Sequence, residues 1–202
     1  MPYRVQFSDE EMEVVWSFAG ENGPTQMQYN HYNSKTKPRP ARKVLNDCFI
    51  GKIGEWAWDK YCVKEHGMAP RISWKIRPKG GDDICDFIYS TGIHLEVKAA
   101  KSKSNWLLLP TKKIKKANMF LFTEVGWTRD RSGGEDGNPL GWVDIHGFIP
   151  KSALINRQVL NIGDLIPGTS CPVQQDNYAT PIDGLYHSLP FLVKLTREPK
   201  KL

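Results

Sequence analysis

Between Lys43 and His66, apolar side chains recur at helical spacing: Val44, Leu45, Cys48, Phe49, Ile53, Trp56, Ala57 and Cys62 make one broad stripe. The pattern predicts a helix over this stretch, with Gly51 and Gly54 as the positions where it would break. A shorter helix is predicted from Asp9 to Phe18, where Ser8 supplies an N-cap and Glu10 and Glu11 occupy the first turn. After Gly67 the periodicity changes to short runs of strand character: Arg71 to Ile76, Ile84 to Tyr89, Ile93 to Ala100, Met119 to Val125, Leu140 to Phe148 and, last, Leu189 to Leu195. Polar stretches rich in Gly and Pro separate these elements, at 20–42, 129–139 and much of the chain after Arg157, and the basic stretch from Thr111 to Ala117 reads as a turn or short helix. Together they predict an α/β or α+β domain with a central mixed β-sheet flanked by helices. One domain spans 1–202, with its core at about 43–150, a basic arm at about 20–42 and a C-terminal extension at about 157–202.

The alternation in Ile93-His94-Leu95-Glu96-Val97-Lys98 carries more than fold. Ile93, Leu95 and Val97 fall on one face and His94, Glu96 and Lys98 on the other. The preceding run, Gly81 to Tyr89, brings acids of its own and is joined by Ser90-Thr91-Gly92, a three-residue hairpin loop with Gly where φ > 0 is favoured. Pairing Tyr89 with Ile93 sets Asp86 directly across from Glu96 on the polar face. Like charges so placed repel by up to about 1 kcal/mol, and a divalent cation would turn that repulsion into coordination. With a two-residue loop, Asp83 would take the place of Asp86, and the sequence leaves both registers open. Glu55 adds a further acid, set among apolar and small residues on the long helix; a solvent-side Glu55 paired with Lys52 is the competing expectation.

Chemically these parts fit a cation of the Mg²⁺ type, with Mn²⁺ as a substitute. Asp86 or Asp83, Glu96, Glu55 and the backbone carbonyl of Val97 are candidate oxygen ligands, and Lys98 stands beside them to orient an attacking water or stabilise a phosphorane. His94 shares their face and is expected to be a surface residue.

Composition narrows the setting. The 202 residues are 40% hydrophobic and 25% charged, an ordinary globular balance. No apolar run is long enough to span a bilayer and no signal-peptide pattern opens the chain, so a soluble intracellular protein is expected. The four cysteines (Cys48, Cys62, Cys85 and Cys171) have no zinc-site spacing and are expected to be reduced thiols. The net charge of +6 favours polyanionic partners.

The order of a Glu in a GxxGE-type helix (Gly51 to Glu55), an Asp on a strand and E-x-K on its paired strand resembles the PD-(D/E)XK nuclease superfamily, over roughly Lys43 to Phe148. No Pro precedes either Asp, a departure from the motif. The resemblance implies a restriction-endonuclease-like fold in which Asp86 (or Asp83) and Glu96 bind metal, Lys98 assists the nucleophile, and Glu55 completes the metal site or orients water. It also implies metal-dependent hydrolysis of DNA phosphodiesters, with endonuclease action expected, and makes a homodimer reasonable.

Nucleic acid would lie along a lysine run that leaves the E-x-K strand: Lys101, Lys103, Lys112, Lys113, Lys115 and Lys116, with no acid between Lys98 and Lys116. A second basic stretch, Lys35 to Lys43 near Tyr29, His31 and Tyr32, is a weaker candidate, and Trp106 a candidate base-stacking residue. The alternative from another class is a nucleic-acid-binding protein that keeps the fold without cleavage.

Overall fold

A computed structural model describes residues 1–33, 40–76, 85–102, 104–112, 114, 116–128 and 137–197, with the backbone alone at 28–33. A short strand β1 (Tyr3–Gln6) leads into two long helices, α1 (Asp9–Asn33) and α2 (Ala41–His66). Strands β2 (Phe87–Ile88), β3 (His94–Lys101), β4 (Trp106–Pro110), β5 (Met119–Trp127) and β6 (Pro139–Pro150) follow. The chain then forms one turn of helix, α3 (Lys151–Leu154), strands β7 (Gln158–Leu160) and β8 (Asn177–Pro181), and a final helix α4 (Leu189–Thr196).

The strands make two sheets. The larger has the order β1-β6-β5-β3-β2, with β3 and β5 parallel and the other pairs antiparallel; the smaller has the order β4-β8-β7. A parallel pair needs a long crossover, and here residues 102–118 provide it, carrying β4 out into the second sheet on the way. The result is a layered α+β domain with α1, α2 and α4 on one face of the mixed sheet and the small sheet and α3 on the other. Leu95, Val97, Leu121, Val143 and Ile145 face α2, whose Phe49, Ile53, Ala57 and Trp58 close the main core with Val15 and Ala19 of α1 and Leu192 and Val193 of α4. The opposite face buries Phe120, Phe122 and Ile149 against Leu107 and Leu109 of β4 and Leu154 of α3.

Local chemistry explains most of these elements. A capping box starts α1: the Ser8 amide donates to Glu11 Oε2 at 2.9 Å and the Glu11 amide to Ser8 Oγ at 3.3 Å. The polar arm expected from Gly20 is helical as far as Asn33, because Gly23 lets α1 press on α2: a Cβ there would lie 2.6 Å from Leu45 Cδ2. Pro24 cannot donate to the Gly20 carbonyl, and packing carries the helix past it. Helix α2 runs unbroken through Gly51 and Gly54 and ends at Gly67 (φ 60°), whose amide reaches Val63 O while the Met68 amide reaches Cys62 O. Among the described residues, no helix is long and apolar enough to cross a membrane.

Two expected strands are not strands. Arg71 to Ile76 has no ladder; side chains hold it to α2, with the Arg71 amide on Asp59 Oδ1 (2.6 Å) and Ser73 O on Lys52 Nζ (2.9 Å). The segment Leu189–Thr196 is helical, with Pro190 in the first turn and buried Leu189, Leu192, Val193 and Thr196 at i, i+3, i+4 and i+7.

Gly54 sets how closely α2 approaches the sheet. A Cβ at that position would lie 2.7 Å from both Ala99 Cβ and Thr123 Oγ1. Gly54→Ala is therefore expected to lower stability by about 1–3 kcal/mol despite the better helix propensity of Ala, as measured by urea denaturation. A neutral or stabilising effect would show that α2 can move away at no cost.

Candidate active site

The site begins at the β2–β3 hairpin. The Tyr89 amide donates to Ile93 O (2.9 Å), the Gly92 amide to Tyr89 O (3.0 Å), and Gly92 takes φ 84°. Phe87 pairs with Leu95 and Ile88 with His94, so the register of the three-residue loop is the one present, and carried one step further it sets Asp86 across from Glu96. Asp83 lies outside the described residues. Asn118 fastens the hairpin to the start of β5: its Oδ1 accepts the His94 amide (2.9 Å), its amide donates to His94 O (3.0 Å) and its Nδ2 to Gly92 O (2.8 Å). Sequence patterning missed this clamp, for which an Asn just ahead of an apolar strand was the available signal.

Alternation along β3 buries Leu95 and Val97 and leaves Glu96 and Lys98 partly open. Lys98 Nζ donates to Glu96 Oε1 at 2.5 Å. Asp86, half-buried just before β2, accepts the Val97 amide on Oδ2 at 2.7 Å. The amide and carbonyl of one strand residue point to the same side, so the Val97 carbonyl is directed to the edge where Asp86 lies. Glu55 reaches the group from α2, held by Lys52 at 2.5 Å, while Lys52 also donates to Ser73 O and lies 4.7 Å from the centre of the Phe18 ring. The Lys52–Glu55 pair expected of a solvent-side Glu55 does form, but it is largely buried, at 9% and 17% side-chain exposure.

One electrostatic field joins these groups. Burial pushes the Asp86 carboxyl well above the usual carboxylate range; the charges of Glu55 and then Glu96 push it further, against the opposing pull of the Val97 amide and Lys98. Cys85 lies in the same field. Its thiol is raised by burial and by Glu96 and Asp86, and is lowered in part by Lys116, which suits a protonated thiol and not a nucleophile.

The donor set fits a hard divalent cation: Asp86, Glu96 and the Val97 carbonyl give two carboxylates and a neutral oxygen, and such a charge would relieve the repulsion that raises Asp86. Among the described residues, no three His, Cys, Asp or Glu side chains are gathered into a ready-made cation site. Asp86 is turned to the Val97 amide, Glu96 to Lys98 and Glu55 to Lys52, and Mg²⁺ needs only one or two carboxylates with water completing its shell.

The described lysines of the run lie on separate elements. Lys101 ends β3 and lies 4.7 Å from the centre of the Trp127 ring, Lys116 acts on Cys85 beside the carboxylates, and the exposed Lys112 extends the turn after β4 on the small sheet. Lys103, Lys113 and Lys115, like Lys35, Lys37 and Arg39 of the basic arm, lie outside the described residues. Trp106 packs on the small core of Leu160, Val173 and Ala179, an ordinary structural place for it. The four cysteines are free thiols.

The raised Asp86 has a measurable consequence. Between the ordinary carboxylate value and the raised one, the folded chain holds a proton that the unfolded chain has released. The contribution of Asp86 to metal-free stability is therefore fully present below the ordinary carboxylate value and is lost as pH rises through the raised value. Asp86→Asn, whose side-chain oxygen can still accept the Val97 amide, is expected to flatten this slope across the window above the ordinary carboxylate value and to raise the melting midpoint at its upper end. An unchanged slope in urea titrations across that window would remove Asp86 as its source.

Comparison with known proteins gives no match: no family model, no curated protein and no solved structure matches the chain.

Proposed function

We propose that the protein is a divalent-metal-dependent nuclease that hydrolyses DNA phosphodiester bonds, acting as an endonuclease with a PD-(D/E)XK-type site. The observation that carries this reading is the placement of Asp86: a carboxylate at a strand edge, bonded to the Val97 amide, raised by burial and then by the charges of Glu55 and Glu96, and lying near a lysine already paired with Glu96. A fold gains no stability from such a concentration of like charge, and a cation-binding site makes use of it.

Asp86, Glu96 and the Val97 carbonyl would hold Mg²⁺ or Mn²⁺, which when bound supplies polarisation of the scissile phosphate and a lower pKa for the attacking water. Glu96 holds the Lys98 ammonium within 2.5 Å, ready to orient water or to meet charge developing on the phosphoryl oxygens. Lys52 fixes Glu55 facing the group from the helix side, where it can orient water. Cation binding would displace the proton favoured by Asp86, so activity should rise with pH.

Incubation of supercoiled plasmid and of branched and single-stranded DNA with Mg²⁺ tests the reading. Cleavage is expected from the wild type and from neither Glu96→Ala nor Lys98→Ala. Cleavage retained by both variants would place the chemistry elsewhere. Salt-sensitive binding with no cleavage of any of these substrates would favour the non-catalytic binding protein.

A further inference from the structure

A cleft of ≈ 560 Å³ opens between the first half of α2 and the second half of β3. Lys43 and Gly51 stand on its helix wall, Ala99 and Ala100 on its strand wall, and Lys98 and Lys101 at its strand side. The cleft therefore runs into the candidate site through Lys98. Lys98 is held by Glu96 at 2.5 Å, and Lys101 lies 4.7 Å from the centre of the Trp127 ring. Asp47, one turn on from Lys43, is the acid among the lining residues, so positive charge prevails. Between the lysines the walls combine the small or apolar Ile50, Gly51, Ala99 and Ala100 with the polar Asn46 and Asp47.

We propose that this cleft seats one unpaired nucleic-acid strand, with backbone phosphates on Lys43 and Lys101 and the sugar edge over Gly51 and Ala99. The strand is thereby led to Lys98. The proposal rests on the nuclease reading and names its substrate as a single strand or a frayed, flapped or otherwise unpaired end. The chemistry of the walls supports it: lysines meet phosphates while small apolar residues accept the sugar. Size supports it too, since the volume is that of a small-ligand site, about 300–1,000 Å³. That space matches a short stretch of one strand lying within the cleft.

Gly51 offers a clean test, because no atom lies within 4 Å of the position its Cβ would take. Gly51→Leu should place its Cβ freely, project its side chain into the cleft and improve helix propensity. Fluorescence anisotropy in EDTA would compare a labelled oligothymidylate with a duplex of equal length. The wild type is expected to bind the single strand at least about tenfold more tightly, with affinity falling steeply as salt rises. Gly51→Leu and, separately, Lys43→Gln should each weaken single-strand binding several-fold with the melting midpoint unchanged or raised. Single-strand affinity retained by both variants, or a duplex bound as tightly as a single strand, overturns the proposal. If Gly51→Leu binds normally while the wild type cleaves DNA, the cleft fails and the nuclease reading stands. If both variants lose binding in a protein that cleaves nothing, the cleft stands as a strand-binding site and the nuclease reading fails.

Discussion

Glu96→Ala should reduce DNA cleavage by roughly 10³-fold or more, since one residue would lose both a metal ligand and the anchor of Lys98. The folded state should survive. Glu96 is 28% exposed on a strand whose buried residues are Leu95 and Val97, so its removal opens no core cavity. It also takes a negative charge away from Asp86, which lessens the repulsion there and should leave the metal-free variant as stable as the wild type or more so. Activity loss at constant or improved stability is thus the signature of a site, whereas parallel loss of both would mean a structural role. Single-turnover cleavage of a labelled oligonucleotide at saturating protein, beside urea midpoints, measures the two together. Glu96→Gln refines the result by keeping shape and a hydrogen-bond acceptor for Lys98. Near-wild-type rates in Glu96→Gln would show that the negative charge is dispensable and would sink the metal-ligand role.

The largest loss of stability is expected at Trp58. Its side chain is fully buried, lies 5.5 Å from the Tyr61 ring centre, and donates through Nε1 to Tyr89 Oη at 2.9 Å. Trp58→Ala should cost about 3–5 kcal/mol, a large share of the 5–15 kcal/mol typical of a domain. Part of the loss is the bond in which the buried Tyr89 oxygen accepts from the Trp58 indole, since burial chiefly pushes the Tyr89 hydroxyl above the ordinary tyrosine range and shuts its oxygen off from water donors. Because Tyr89 closes the hairpin that carries Asp86, the damage should reach the site. Trp58→Phe, which keeps a ring but leaves the Tyr89 hydroxyl without its indole donor, should cost about 1–3 kcal/mol. Urea denaturation of both variants gives the order, and a Trp58→Phe cost equal to that of Trp58→Ala would show that the hydrogen bond and not the packing dominates.

What the sequence made legible was local. The stripe on α2 and the φ > 0 glycine of the β2–β3 turn each act over a few residues, whereas the hairpin register, open in the sequence between a two- and a three-residue loop, is that of the three-residue loop in the structure. What it hid was set by distant packing. Gly20, Gly23 and Pro24 argue for a loop until Leu45 is seen filling the space that Gly23 leaves, which carries α1 onward. The segment Leu189–Thr196 is too short for its apolar content to distinguish strand from helix, and burial against the sheet decides in favour of helix. Strands β1, β4, β7 and β8 are brief and pair with partners far along the chain, so no local period marks them. For the site, the order of acids and lysine along the chain was visible. The mutual electrostatics of Asp86, Glu55 and Glu96 and the cleft from Lys43 to Lys101 depend on how close α2 comes to β3, which only the fold specifies.

Strand β1 bears on the behaviour of the protein in solution. Only four residues long, it covers the edge of β6 from Trp142 to Ile145 and is held there by Arg4, which grips Asp144 at 2.6 and 2.7 Å and lies over the Trp142 ring at 4.0 Å. An uncovered β6 would present a row of amides and carbonyls ready to pair with a second molecule. A variant trimmed before Phe7, or one in which a fusion pulls β1 away, would therefore expose an aggregation-prone edge on the far side of the sheet from β3. Self-association would then rise with protein concentration although every residue of the candidate site remained in place.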